Sequence, residues 1–163
     1  LTDIPQIVYG VNLGITWKQF DLSLLFQGQA KVINTIQETW VDPSSGGAGN
    51  LMQWWTEDMW TPENTDGTKP RLGTPNKING TTFTNINAAF FKLKNAEIGY
   101  TLPVAVREKI GVANARVYLS GTNLFSFDHM RGMGIDPEAT GSGYGGWALN
   151  PQRLINLGVN VSF

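Results

Sequence analysis

The sequence contains no cysteine and little charge. Among its 163 residues, 15% are charged, well below the roughly 25% of soluble domains. The absence of cysteine excludes a disulfide framework and a thiolate metal site. Twelve basic residues stand against 13 acidic ones, so there is no basic excess to neutralise the phosphates of a nucleic acid. The balanced charge and plentiful aromatic residues also argue against intrinsic disorder.

Long hydrophobic runs are missing as well. No apolar stretch approaches the ~18 residues of a transmembrane helix. Membrane-spanning β-strands remain allowed, because their apolar and polar residues alternate and average out. The chain begins at Leu1 without a methionine, a basic region or a signal-peptide core, which predicts a piece of a longer polypeptide.

The last segment, RLINLGVNVSF, alternates without interruption. Its apolar residues are Ile155, Leu157, Val159, Val161 and Phe163. Between them stand small or polar residues, namely Asn156, Gly158, Asn160 and Ser162. This period of two predicts a strand with one apolar and one polar face. In an outer-membrane barrel such faces meet lipid and the lumen.

Four further segments alternate in the same way. The predicted strands cover 6–17, 19–36, 87–102, 113–127 and 151–163. Each is long enough for a tilted membrane strand, which takes ~9–11 residues. In the third, the alternation changes phase near Lys94 and Asn95. A β-bulge would restore one continuous apolar face; alternatively, half of that strand lies outside the membrane.

The connections between these strands alternate between short and long. The long ones cover 37–86 and 128–150. Short periplasmic turns and long extracellular loops are typical of outer-membrane barrels, so we expect both long connections to face the outside. Five strands cannot close a barrel, and two open edges would expose unpaired backbone groups to lipid. Partner strands must therefore come from elsewhere.

Several motifs resemble one family in order and spacing. They are YGVNLGITWKQFDLSLLFQGQ, WTPENTDGTKPR, FFKLKNAEIGYTLP, ARVYLSGTNLFSF, GIDPEATG and NPQRLINLGVNVSF. Together they resemble the C-terminal part of SusC/RagA-type TonB-dependent outer-membrane transporters. One departure is Lys92, where the family more often has arginine.

That resemblance implies an all-β fold: the last five strands of a 22-stranded antiparallel barrel, whose N-terminal plug lies outside this chain. It also implies an importer of oligosaccharides or peptides in the Gram-negative outer membrane, with no cofactor and no enzymatic activity. The implied partners are a SusD-like surface lipoprotein, the TonB complex through the missing plug, the surrounding lipid and the barrel-assembly machinery. Phe163 would be the signal that this machinery reads.

The first long connection contains the segment LMQWWTEDMW. Trp54, Trp55 and Trp60 are candidates for stacking on a substrate, since aromatic faces offer area at little entropic cost. The alternative is that they pack the connection or contact a lid protein. We expect packing for Trp55 and Trp60, and leave Trp54 open.

Metal and catalytic chemistry have little support in the sequence. Asp136 and Glu138 offer oxygen ligands for Ca²⁺, but their spacing is not that of an EF-hand. An Asp-Pro turn is the more ordinary reading. His129 is the only histidine, and no nucleophile elbow accompanies it, so we expect no catalytic residue and no metal site.

Charged residues also occupy the predicted polar faces. Asp21 and Glu97 share them with Lys31, Lys92, Lys94 and Arg116, which predicts a charge lattice inside a barrel. The rival hypothesis is a soluble β-sandwich that binds carbohydrate through exposed tryptophans. It explains the tryptophan content but not such apolar outer faces.

Overall fold

The described residues form two β-sheets and two short α-helices. The computed structural model describes residues 2–36, 52–71, 73, 81–138 and 150–163. The strands are β1 (Ile7–Trp17), β2 (Phe20–Ala30), β3 (Ile33–Thr35), β4 (Asn85–Asn87), β5 (Phe90–Thr101), β6 (Asn114–Asp128) and β7 (Leu154–Ser162). The helices are α1 (Gln53–Thr56) and α2 (Val104–Ile110), and a 3-10 turn covers Arg131–Met133. None of the described helices is long and apolar enough to cross a membrane.

The chain divides into two compact units. The first, called the sheet unit, comprises Val8–Gly28, Phe91–Phe127 and Pro151–Phe163. The second, called the connection unit, comprises Leu1–Ile7, Gln29–Phe90 and Asp128–Asn150. Nearly all of the long strands therefore fall in one unit, and both long connections fall in the other.

The sheet unit is built on five strands in the order β1-β2-β5-β6-β7. Strands β6 and β7 pair antiparallel, with Val117 opposite Val159 and Leu119 opposite Leu157. Arg116 lies opposite Asn160 in the same register. Because paired residues share a face and neighbours along a strand alternate, the valines and leucines lie on one face and Arg116 lies with Asn160 on the other.

The alternation changes phase within β5. The ring of Phe26 stacks on that of Phe91 at 5.3 Å, and the ring of Phe20 lies 4.8 Å from that of Tyr100. Phe20 and Phe26 share one face of β2, which runs without a left-handed residue between them. Phe91 and Tyr100 are nine positions apart and would face opposite sides of a regular strand. These contacts favour the β-bulge over the alternative of a strand half outside the membrane.

The predicted strand 19–36 is wrong in one respect, because it is two strands. Strand β2 ends at Ala30, and Lys31 has a φ of 54°. A left-handed residue breaks the extended run. Strand β3 then leaves the large sheet and pairs antiparallel with β4, with Ile33 opposite Asn87.

Helix α2 occupies the short connection between β5 and β6. It follows Pro103, whose ring fixes φ and suits the start of a helix. It ends at Gly111, whose φ of 73° is the left-handed conformation that glycine adopts at helix ends. The helix has seven residues.

The connection unit has a hydrophobic core of its own. Trp55, Ile36 and Met130 are each at most 1% exposed at its centre. Val32, Ala88 and Ile135 complete the buried cluster, and partly buried side chains pack against it, namely Met52, Trp54, Phe83, Ile86 and Met133. Trp55 and Met52 come from the first long connection, and Met130 and Ile135 come from the second. The two connections therefore share one core.

Candidate functional site

An ion network joins three adjacent strands on the polar face of the sheet unit. Arg116 of β6 donates from Nε to Oδ1 of Asp21 on β2 at 3.0 Å, and its Nη2 donates to Oδ2 of the same carboxylate. Nη2 also donates to Oε1 of Glu97 on β5 at 2.7 Å. One guanidinium thus serves two carboxylates from strands that lie side by side in the sheet.

Glycines make room for this network. The guanidinium of Arg116 lies where a side chain on Gly99 would stand. The ring of Tyr118 lies 5.1 Å from Cζ of Arg116 and covers Gly158 of β7 in the same way. Any larger residue at Gly99 or Gly158 would have to displace these side chains, so the glycines are needed for close approach rather than for backbone freedom.

The network is suited to polar contact, not to catalysis. The side chains of Arg116, Asp21 and Glu97 are 20%, 32% and 37% exposed. The arginine has its charge matched by two carboxylates, and no nucleophile stands beside it in the network. Among the residues that the structure describes, no group of three His, Cys, Asp or Glu side chains is placed to hold a metal ion.

The charged residues predicted to share the polar face have different environments. Asp21, Glu97 and Arg116 are brought together by ion pairs. Lys92 is 3% exposed, and Lys31 lies in the left-handed turn after β2, in the other unit.

The three candidate tryptophans have three different environments. Trp55 is 1% exposed and lies in the core of the connection unit. Trp54 packs edge-on against it, with ring centroids 5.6 Å apart. Trp60 is 39% exposed and stands outside the core cluster. Burial agrees with the packing role expected for Trp55, but not with the one expected for Trp60.

Trp60 lies on a turn that sequence reasoning missed. Its backbone N–H donates to the carbonyl of Lys69 at 2.8 Å, and the N–H of Lys69 donates to the carbonyl of Asp58 at 2.9 Å. The carboxylate of Asp58 accepts from both the backbone N–H and the hydroxyl of Thr68, which lowers the pKa of Asp58. The sequence contains a signal for this turn, because the Asp-Gly pair in the segment TDGT is typical of turns.

The segment that carries Asp136 and Glu138 forms the turn expected of an Asp-Pro pair. Oδ1 of Asp136 accepts the backbone N–H of Glu138 at 2.8 Å. The N–H of Asp136 donates to Oδ1 of Asn150 at 2.9 Å, and Nδ2 of Asn150 donates to the carbonyl of Gly134 at 2.8 Å. Asp136 thus stabilises this turn and links it to Asn150 at the end of the second connection.

The sheet unit thus consists of long strands whose sheet is apolar on one side and carries a bridged charge network on the other. Comparison with known proteins identifies relatives of the chain. The chain is 30% identical over 174 residues to TonB-dependent receptor P26 of Formosa agariphila, and 29% identical over 177 residues to TonB-dependent receptor P3 of the same organism. No protein-family model matches the chain.

Solved structures give the same result. The chain superposes on the RagAB peptide transporter with a TM-score of 0.76 and 28% identity, and on the open-open state of the RagAB peptide importer with a TM-score of 0.74 and 28% identity. Each match covers 98% of this chain and 17% of the solved one. The chain spans 17% and 16% of the lengths of the two receptors. The chain is thus similar over nearly its whole length to a segment of TonB-dependent receptors and of the RagAB transporter, as its motifs indicated, and these relatives are receptors and transporters rather than enzymes.

Proposed function

We propose that the chain is the C-terminal barrel segment of a TonB-dependent importer in the Gram-negative outer membrane. The observation that carries this proposal is the two-faced five-stranded sheet, together with similarity to TonB-dependent receptors over 98% of the chain. The apolar face, with Val117, Leu119, Leu157 and Val159, meets lipid. The polar face, with the Arg116 network, lines the lumen.

The sheet must be extended by strands of the same polypeptide. Strands β1 and β7 are its edges, and neither has a second neighbour among the described strands. In hydrocarbon each unpaired backbone group costs several kcal/mol, so an open edge there is not stable. A 22-stranded barrel closed by an N-terminal plug satisfies this requirement and belongs to the size class of plugged transporters.

The same proposal assigns substrates and partners. The substrate is an oligosaccharide or a peptide, and the similarity to a peptide importer supports the peptide. A SusD-like lipoprotein covers the outer opening, beside the outward-facing connections 37–86 and 128–150. TonB acts through the plug, and the barrel-assembly machinery reads Phe163. We keep Trp54 and the exposed Trp60 as candidates for substrate or lid contact, and propose no metal for Asp136 or Glu138.

Orientation in the membrane is the first test. In the complete protein, Val159→Arg places a charge on the proposed lipid face, and should cost about 2–4 kcal/mol if it lies near the midplane. Asn160→Arg places the same charge one residue away on the lumen face, and should cost far less. The folded fraction of each variant, measured by its shift in gel mobility on boiling, gives the comparison. Equal losses in the two variants, or a protein that stays soluble without detergent, would contradict the proposal and favour a soluble carbohydrate-binding sandwich.

A further inference from the structure

The short connections meet at one end of the sheet unit. The N–H of Thr101, at the end of β5, donates to the carbonyl of Gln19 in the β1–β2 turn at 2.8 Å. The N–H of Ala113, just after α2, donates to the carbonyl of Ser162 at the end of β7 at 2.8 Å. The β1–β2 turn, helix α2 and the end of β7 therefore lie on the same rim of the sheet.

Trp17 marks the apolar face at this rim. It belongs to the same side of β1 as Tyr9, whose ring stacks with Phe91 at 6.3 Å on the face that also carries Phe26. Trp17 is 64% exposed, and Nζ of Lys18 lies 4.8 Å from the centre of its ring. An exposed indole with an ammonium group over it presents an apolar body and a cationic tip, the combination that is favoured at a membrane–water interface.

Helix α2 adds a second amphipathic element to the rim. Val106 and Ile110 are four residues apart, so they share one side of the helix, and they are 41% and 57% exposed. Glu108 projects from the other side. Arg107 fixes the helix to the strand that follows, because its Nη1 donates to the carbonyl of Ala113 at 2.5 Å. A short helix held in place by its own arginine thus presents an aliphatic pair outward.

The rim carries an excess of positive charge. Lys18, Arg107 and Lys109 are basic, whereas the short connections contribute one carboxylate, Glu108. The strand carboxylates Asp21 and Glu97 lie on the polar face and share the single cation of Arg116. The short connections themselves have three cations and one carboxylate. Beside exposed Trp17, Val106 and Ile110, these charges are complementary to an anionic phospholipid headgroup above its acyl chains.

We propose that Trp17, Lys18 and helix α2 form a phospholipid-binding rim, which inserts Val106 and Ile110 at the headgroup–acyl boundary and binds anionic headgroups through Lys18 and Lys109. This inference rests on the proposed function, because it requires the apolar face of the sheet to lie in lipid. It goes further in assigning a lipid class and an anchoring role to a helix outside the spanning strands. A lipid surface fits better than a protein, because Trp17 continues the apolar face of the sheet to this rim and the cations of the short connections stand at the same end.

The test uses the complete protein in vesicles of phosphatidylcholine, with or without phosphatidylglycerol, containing lipids with a nitroxide near the headgroup. This chain has no cysteine, so Ile110→Cys can carry a single environment-sensitive fluorophore once any cysteines elsewhere are replaced. Glu108→Cys, on the opposite side of α2, is the matched control. Val159→Cys, with a nitroxide placed deep in the acyl chains, reports on the membrane position of the sheet.

The label at Ile110 should be quenched at least about threefold more strongly than the label at Glu108, and more strongly when phosphatidylglycerol is present. Lys18→Gln with Lys109→Gln should remove the dependence on phosphatidylglycerol. Equal quenching at Ile110 and Glu108, with Val159 still quenched, would overturn the rim while leaving the membrane sheet intact, and would point to a protein segment on α2. Loss of quenching at Val159 as well would overturn the proposed function itself.

Discussion

Replacing Trp55 with alanine should unfold the shared core of the two long connections. A fully buried tryptophan removes about 250 Å² from water, and at about 25 cal/mol per Å² this corresponds to about 6 kcal/mol as an upper limit. Trp55 is 1% exposed, so nearly all of that area is lost in the variant. Part of the loss is offset, because the indole N–H of Trp55 has no acceptor among the described residues. We expect a cost of about 3–5 kcal/mol to the connection unit.

Limited proteolysis measures this cost directly. In Trp55→Ala, cleavage should rise in the second connection as well as the first, because Met130 and Ile135 belong to the same cluster. Trp55→Phe keeps most of the packing and removes the unpaired donor, so it should resist the protease far better. Trp60→Ala is the surface control, since this side chain is 39% exposed. If cleavage in Trp55→Ala stays confined to the first connection, the shared core is refuted.

Four further predictions follow from the geometry. Arg116→Met leaves the carboxylates of Asp21 and Glu97 without their cation and should cost about 1–2 kcal/mol in a denaturant titration, since the groups are partly exposed; stability equal to that of the parent would contradict this. Gly158→Val should cost about 1–3 kcal/mol by displacing the ring of Tyr118, and Tyr118→Ala in the same chain should relieve most of that cost. Thr68 lowers the pKa of Asp58, so the turn is stabilised at pH values above the ordinary pKa of 3.8 and loses this stabilisation as the pH falls through the depressed pKa of the folded state. Proteolysis of the turn should therefore increase in acid, and Asp58→Asn should abolish this dependence on pH. Deleting Phe163 should leave less folded barrel in the outer membrane, whereas equal amounts of heat-modifiable protein would exclude its role as an assembly signal.

The two faces of the sheet were readable from sequence because the period of a strand is two. Val159 and Asn160 had to fall on opposite sides of any regular strand, and the register with Val117 and Arg116 places them so. The phase change in β5 is also visible in the sequence, because the apolar residues Phe91 and Tyr100 are an odd number of positions apart. The exposed fraction of the side chains does not distinguish the two faces, because Leu157 on the apolar face is itself 75% exposed.

The break at Lys31 was not readable in that way. The residues on either side of it continue the alternation, and only a backbone dihedral of 54° at a lysine ends β2. Lysine has no particular preference for the left-handed region, so no local signal marks the break. What stabilises it is distant, namely the pairing of β3 with β4, about 50 residues further along the chain. Such pairings depend on tertiary contacts, which a periodic pattern does not contain.

The core of the connection unit could not be predicted from the sequence for the same reason, because it too depends on tertiary contacts between distant segments. Segment 52–60 is rich in tryptophan and methionine, but its sequence does not indicate that its packing partners lie in segment 128–136. Joined through Trp55, Met130 and Ile135, the two segments bury one core. A connection that contributes half of a core cannot open without exposing the other half, so the two should order and disorder together. Opening of segment 52–60 should therefore expose Met130 and Ile135 of the second connection, although the two segments are about 70 residues apart in sequence.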